Sequence, residues 1–115
     1  AADGRPRPDA SEMTDPSRIR ATVRDGVAEV RVLMAHEMES GQRKDAAGKL
    51  VPAWHITEVT ATLNGRPVLR AHLGPAISKN PYLQFRVRGA RPGDRIAVSW
   101  VDSRGDRRTD EVAAN

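Results

Sequence analysis

Hydrophobic and polar residues alternate with a period of two along most of the chain, and short runs of turn residues separate the alternating stretches. A period of two is typical of strands that bury one face and expose the other. The pattern therefore predicts a sheet protein with one buried face per strand. The residues expected in its core are Val30, Val32, Val59, Ala61, Leu63, Leu83, Phe85, Val87, Ile96, Val98 and Trp100.

Asn64-Gly65 is the strongest local signal in the chain. Both residue types tolerate the positive φ angles that a two-residue hairpin turn requires. The pair therefore predicts a hairpin between strands at 54–63 and 66–73. Trp54 and Ile56 are out of phase with the later apolar positions of the first strand, which indicates a bulge near residues 57–58.

The complete pattern contains about seven short strands with turn signals between them and no apolar stripe of helical period. We therefore expect an all-β fold, an immunoglobulin-like antiparallel β-sandwich of about seven strands, with a small barrel as the alternative. Residues 1–16 are rich in proline and poor in apolar side chains, which is typical of a disordered N-terminal arm. Residues 17–115 then form the single sandwich domain.

The segment between the second and third strands is long and highly charged. It contains Met38 and Glu39, then the cations Arg43, Lys44 and Lys49. Hairpin connections usually need about two to five residues, so a longer loop has another reason to exist. Loops held on a rigid scaffold often carry binding residues, so these five residues are the candidate contacts for a partner or an anion. The alternative is a solvated loop whose charges pair with one another.

Composition excludes several kinds of function. The 115 residues include no cysteine, so the chain offers neither a thiolate nucleophile nor a disulfide. No apolar run approaches the roughly 18 residues of a membrane helix, and no serine lies in a nucleophile-elbow motif. We therefore expect neither catalysis nor a cofactor nor insertion into a membrane. Lys and Arg exceed Asp and Glu by 19 to 15, which suits an acidic partner or an anion.

Histidine and arginine raise two further possibilities. His36, His55 and His72 lie on or beside different predicted strands and have no ligand-like spacing, so we do not expect a metal site. Arginines share the exposed faces of the strands near residues 18–24 and 86–88. Only four aromatic residues are present, and two of them are predicted in the core, so a stacking surface for nucleic acid is not expected.

The charged loop resembles that of the SoxZ family. It reads Met-Glu-Ser-Gly-Gln-Arg-Lys-Asp at residues 38–45, followed by Gly-Lys-Leu-Val-Pro at 48–52. Further similar stretches are Glu58–Ala61, Asn64-Gly65, Gly74–Pro81, Gly93-Asp94 and Ser99–Asp102. The resemblance runs from about residue 19 to residue 112. His55 and Leu73 depart from it, because an aromatic residue is more usual there, and so does the arm before Ser17.

The resemblance implies a non-catalytic subunit of the SoxYZ carrier complex of thiosulfate oxidation. In that complex SoxZ pairs with SoxY, whose C-terminal cysteine carries the sulfur intermediates. The pair then makes transient contacts with a Sox cytochrome, a hydrolase and a sulfane dehydrogenase. We therefore expect a heterodimer in the periplasm, exported together with SoxY, and self-association when the chain is alone. An immunoglobulin-like binding module of the cell envelope is the alternative.

Overall fold

The computed structural model describes residues 14–115, which form seven antiparallel strands and no helix. None of the described residues therefore belongs to a helix that could cross a membrane. Loops and turns connect the strands, and the longest connection joins the second strand to the third. The strands are β1 (Arg18–Arg24), β2 (Val27–Leu33), β3 (Ile56–Leu63), β4 (Arg66–His72), β5 (Tyr82–Arg88), β6 (Arg95–Asp102) and β7 (Arg107–Ala113).

The strands form two sheets. The first has the order β1-β2-β5 and the second has the order β4-β3-β6-β7. Because β2 pairs with β5 and β3 pairs with β6, the chain crosses between the sheets in the manner of an immunoglobulin-like sandwich. The prediction of fold class is confirmed.

The predicted hairpin turn is also confirmed. Asn64 and Gly65 have φ angles of 49° and 83°, and they join β3 to β4. The pairing of β3 with β6 shifts register between Ile56 and Glu58, which is the bulge that the out-of-phase residues indicated. The strand begins at Ile56 and not at Trp54, because Trp54 pairs with Glu39 of the preceding loop.

The core lies between the two sheets, and nine of the eleven predicted core residues are buried in it. The other two, Leu83 and Phe85, point inward but are only half-buried. They belong to β5, which is an edge strand of the three-stranded sheet, so solvent reaches them from the side. Seven further buried apolar residues were not predicted in the core, namely Ala21, Ala28, Met34, Met38, Ile56, Ala90 and Ala114.

The partial burial of Phe85 predicts a moderate cost of truncation. We expect Phe85→Ala to lower the free energy of unfolding by about 1–3 kcal/mol, below the roughly 3–5 kcal/mol typical of a fully buried phenylalanine. Urea denaturation measures this cost, with Gln84→Ala on the exposed face of the same strand as the control. A loss above about 4 kcal/mol would show that Phe85 is fully enclosed.

The two lateral sides of the sandwich differ in how their edge strands are bonded. On one side the C-terminal residue Asn115 exchanges backbone hydrogen bonds with β1, donating to Ala21 and accepting from Val23 at 2.9 Å each. On the other side β4 and β5 are both edge strands. Residues 1–13 of the predicted arm lie outside the described residues, and the next residue, Thr14, accepts hydrogen bonds from Arg108 of β7.

Candidate functional site

Three connections meet at one end of the sandwich, which we call the loop end. They are the long loop at residues 34–55, the β4–β5 loop at 73–81, and the β6–β7 turn at 103–106. The first two are joined by a hydrogen bond from Asn80 N–H to the His36 carbonyl at 2.8 Å. The first and third are joined by a bond from Ser103 N–H to the His55 carbonyl at 2.9 Å. The long loop is therefore fixed to its neighbours.

The carboxylate of Asp102 lies at the centre of the loop end. One of its oxygens accepts hydrogen bonds from His36 Nε2 at 3.0 Å and from Trp54 Nε1 at 2.8 Å. The other accepts from the backbone N–H groups of Arg104 and Asp106, each at 2.9 Å. The side chain of Asp102 is completely buried. Four donors from two connections thus converge on one buried carboxylate.

These donors determine the charge state of Asp102. Burial by itself would raise the pKa of the carboxyl, because it penalises the charged form. Hydrogen bonds from His36, from Trp54 and from the backbone of Asp106 and Arg104 outweigh burial, and the pKa lies below its usual value. Asp102 is therefore an ionised carboxylate whose charge holds the loop end together.

His36 is bound on both sides of its ring. Its Nδ1 accepts a hydrogen bond from the Met38 N–H at 3.1 Å, so the proton of the neutral ring is on Nε2 and points at Asp102. The ring packs against Trp54 and edge-on against Trp100, with centroid separations of 4.8 and 5.3 Å. The guanidinium of Arg104 packs over the Trp54 ring, 4.1 Å from the ring centroid, in a cation–π contact. His36 is a buried anchor for the loop, with 2% of its side chain exposed.

The base of the long loop is a backbone bridge. Glu39 and Trp54 exchange two N–H to carbonyl hydrogen bonds, and Met38 precedes them with a φ angle of 55°. The Met38 side chain is buried, and its sulfur lies 3.3 Å from the Ile56 backbone N–H. Of the five candidate contact residues, Met38 thus faces the core, where it fixes the exit of the loop from β2.

Glu39 and Arg43 pair with each other on the loop. The Arg43 guanidinium donates to the Glu39 carboxylate from Nε and from one terminal nitrogen, the latter at 2.8 Å. These hydrogen bonds lower the pKa of the Glu39 carboxyl and raise the pKa of the Arg43 guanidinium. This is the internal charge pairing that we considered as the alternative. The other terminal nitrogen of Arg43 makes no hydrogen bond with any of residues 14–115, so it is available to an anion.

The tip of the loop exposes the other two candidate cations. Asp45 shapes the tip, because its carboxylate accepts hydrogen bonds from the backbone of Ala47 and Lys49 at 2.9 and 3.0 Å. Lys44 and Lys49 are exposed and make no ion pair with any residue among 14–115. Leu50 follows them and is 61% exposed. The tip therefore presents two positive charges beside an apolar side chain.

The remaining histidines do not join this cluster. His55 is half-buried, and His72 is exposed at the end of β4. Within residues 14–115 no group of three or more His, Asp or Glu side chains could hold a metal ion. The buried Asp102–His36–Trp54 cluster was missed at the sequence level, although the inward phase of β6 continues from Trp100 to Asp102 and could have revealed it.

The family model described as "Sulphur oxidation protein SoxZ" matches residues 18–113, which include all seven strands. The chain belongs to the SoxZ family. A comparison with curated proteins finds no match.

SoxZ membership assigns the chain a role in sulfur oxidation. Several of the stretches that resemble the family lie far apart in the sequence and meet at the loop end. They are the charged loop from Met38 to Asp45, the Gly74–Pro81 loop, and the last residues of β6 up to Asp102. The loop end is therefore the part of this SoxZ-family sandwich that we take as the candidate functional site.

Proposed function

We propose that the chain is the non-catalytic subunit of a SoxYZ carrier complex, in which it pairs with a SoxY-type protein and helps present the cargo-carrying cysteine to Sox enzymes. The observation that carries this proposal is the meeting of the family-like stretches at one end of the sandwich, around a buried carboxylate. The loop end is rigidly built yet exposes cations at its tip, as expected of a surface for contact with another protein.

The chemistry of the chain supports a scaffolding role. The sequence has no cysteine, so a covalently held sulfur cargo needs a thiol from another chain. The His36–Asp102 pair is the one arrangement at the loop end that resembles catalytic machinery, and both side chains are at most 2% exposed. A substrate cannot reach them without unfolding the loop. Their hydrogen bonds fix structure, and binding is left to the exposed tip.

We further propose that Lys44 and Lys49, with the free edge of Arg43, lie near the anionic cargo or the carrier tail. An ammonium group acts as a point charge toward an oxyanion, whereas a guanidinium can bind two oxygens at once. Leu50 and Ile77 provide exposed apolar surface at the same end, at 61% and 41% exposure. Positive charge beside apolar surface suits a polypeptide tail that ends in an anion.

Co-expression with the SoxY-type protein, followed by size-exclusion chromatography, tests the pairing. We expect one species with a 1:1 composition. The chain by itself is expected to self-associate through its open edge strands, β4 and β5. Two separately eluting proteins would reject the pairing, and a stable monomer that ignores SoxY would favour the alternative of an independent binding module. As part of this proposal the complex acts in the periplasm.

A further inference from the structure

The exposed face of the three-stranded sheet is an arginine face. Every outward position of β1, β2 and β5 contributes to it, in four rows across the sheet. Six of these twelve residues are arginines and one is a glutamate. The arginines are Arg18, Arg20, Arg24, Arg31, Arg86 and Arg88.

The positive charge on this face is largely uncompensated. Glu29 is its one carboxylate, and it pairs with Arg31 at 2.8 Å and approaches Arg86 at 3.8 Å. The other four arginines make no ion pair with any residue among 14–115. On the four-stranded sheet, by contrast, Arg70 pairs with Glu58 and Arg95 pairs with Glu111, each at 3.0 Å. Arginines without an ion pair are therefore more numerous on the three-stranded sheet, with four, than on the four-stranded sheet, where the described residues include two, Arg66 and Arg107.

The placement of arginines on neighbouring strands of this face works against the stability of the fold. Arg20 of β1 lies directly opposite Arg31 of β2 in the register of the sheet. Like charges placed opposite each other on one face of a sheet are destabilising. Solubility requires net charge but does not require two arginines to face each other, so the pair indicates a positive surface that has another use.

The dimensions and composition of the face select the kind of ligand. Its charges extend over roughly 20 Å along β1, too far for one small oxyanion to reach. A shallow depression of about 680 Å³ runs across the strands, and four arginines line it together with the carboxylates of Asp25 and Glu29. Tyr82 and Leu33 form an exposed apolar row at one end, at 58% and 41% exposure, and no aromatic side chain interleaves with the arginines. Arginine and tyrosine are enriched in protein–protein contacts, whereas single-stranded nucleic acid needs several stacking aromatics.

We propose that the arginine face is the docking surface for an acidic protein that binds transiently, separate from the surface that pairs with SoxY. The cores of permanent interfaces are apolar and depleted of charge, which this face is not. Complementary charge instead speeds encounter and is screened by salt, as suits a partner that binds and leaves. That this face is a different surface from the one that pairs with SoxY rests on the function proposed above. The preference of the face for an acidic protein does not depend on that function.

A pair of charge-matched variants tests the proposal. The face variant Arg20→Glu/Arg24→Glu and the control Arg66→Glu/Arg107→Glu each lower the formal net charge from +4 to zero, and all four side chains are exposed. The face variant places Glu opposite Arg31, so its melting temperature should equal or exceed that of the wild type. The measurement is the kcat/KM of each purified Sox enzyme with the heterodimer as the varied substrate, at about 20 mM and about 200 mM salt.

We expect at least one enzyme to lose about tenfold in kcat/KM with the face variant at low salt, mainly through KM, and to lose little with the control. Equal effects of the two variants on every enzyme would overturn the proposal. Failure of the face variant to form the heterodimer would also overturn it, because the face would then belong to the permanent interface. The proposal would also be overturned if the face variant lost binding to a single-stranded DNA probe while its enzyme kinetics stayed unchanged.

A second probe keeps this test independent of the proposed function. If the wild-type chain does not pair with SoxY at all, the proposed function fails, and binding of a poly-L-glutamate probe to the full chain alone decides the inference. The face variant should then bind this probe about tenfold more weakly than the control variant at low salt. Equal binding of the two variants would refute a docking face on this sheet.

Discussion

Replacing Asp102 by alanine should lower the free energy of unfolding by about 3–5 kcal/mol. The substitution removes an acceptor that four donors share, namely the His36 ring, the Trp54 indole and two backbone N–H groups. Buried donors without a partner cost about 1–3 kcal/mol each when they cannot reach water. Because the donors belong to two connections, both the long loop and the β6–β7 turn should lose order together.

Urea denaturation measures this loss, and Asp106→Ala is the matched control. Asp106 lies in the same turn and is half-buried, and its carboxylate makes no hydrogen bond with a described residue. We expect the control to change the free energy of unfolding by less than about 0.5 kcal/mol. If Asp102→Ala behaves like Asp106→Ala, the buried cluster does not organise the loop end.

The pKa of Asp102 adds a pH dependence to this prediction. Because the folded-state pKa lies below the unfolded value, the stabilisation is complete above the unfolded value and is lost as pH falls through the folded one. The wild type should therefore lose stability below about pH 4, and Asp102→Ala should lose less over the same range. Asp94, Asp110 and Glu39 also have lowered pKa values, so the difference between the two proteins isolates Asp102.

Reversing both exposed cations at the loop tip, Lys44→Glu/Lys49→Glu, should slow reconstituted thiosulfate oxidation about tenfold at low salt. The new carboxylates would repel an anionic cargo, and at higher ionic strength the wild-type advantage should shrink as screening increases. Stability should stay within about 0.5 kcal/mol of the wild type, because neither lysine makes an ion pair with a described residue.

Two comparisons make this prediction specific to the loop tip. Arg66→Glu/Arg91→Glu changes the net charge equally beside the β3–β4 and β5–β6 turns, at the opposite end of the sandwich, and should retain most of the rate. Glu39→Gln weakens the internal pair with Arg43 and tests whether loop shape alone matters. A rate for the lysine variant equal to that of the charge-matched control would show that the tip does not contact the cargo.

The fold could be predicted because its signals are local. The alternation of apolar and polar residues marks each strand, and Asn64-Gly65 supplies the backbone angles of its turn. The bulge near Thr57 was also visible, since Ile56 is buried out of phase with Val59. The burial of Phe85 was overestimated because alternation shows which way a side chain points but not whether its strand lies at the edge of a sheet.

The candidate site could be predicted only in part from local sequence patterns. The charged loop stood out by its length, but the partners of its charges depend on tertiary contacts that no local pattern encodes. Asp102 and His36 each continue the inward phase of a strand, and a polar residue in such a position is a signal that was available. That the two meet could not be known without the sheet pairing, because 66 positions separate them in the chain.

We propose that this chain serves sulfur oxidation as a non-catalytic partner of a cysteine-carrying subunit. Thiosulfate consumption by the purified Sox proteins, with this chain present or omitted, tests it most directly. We expect consumption only when this chain and the SoxY-type subunit are both present, and none from this chain alone or with an added small thiol. Consumption by the chain alone, or an undiminished rate in its absence, would contradict the claim.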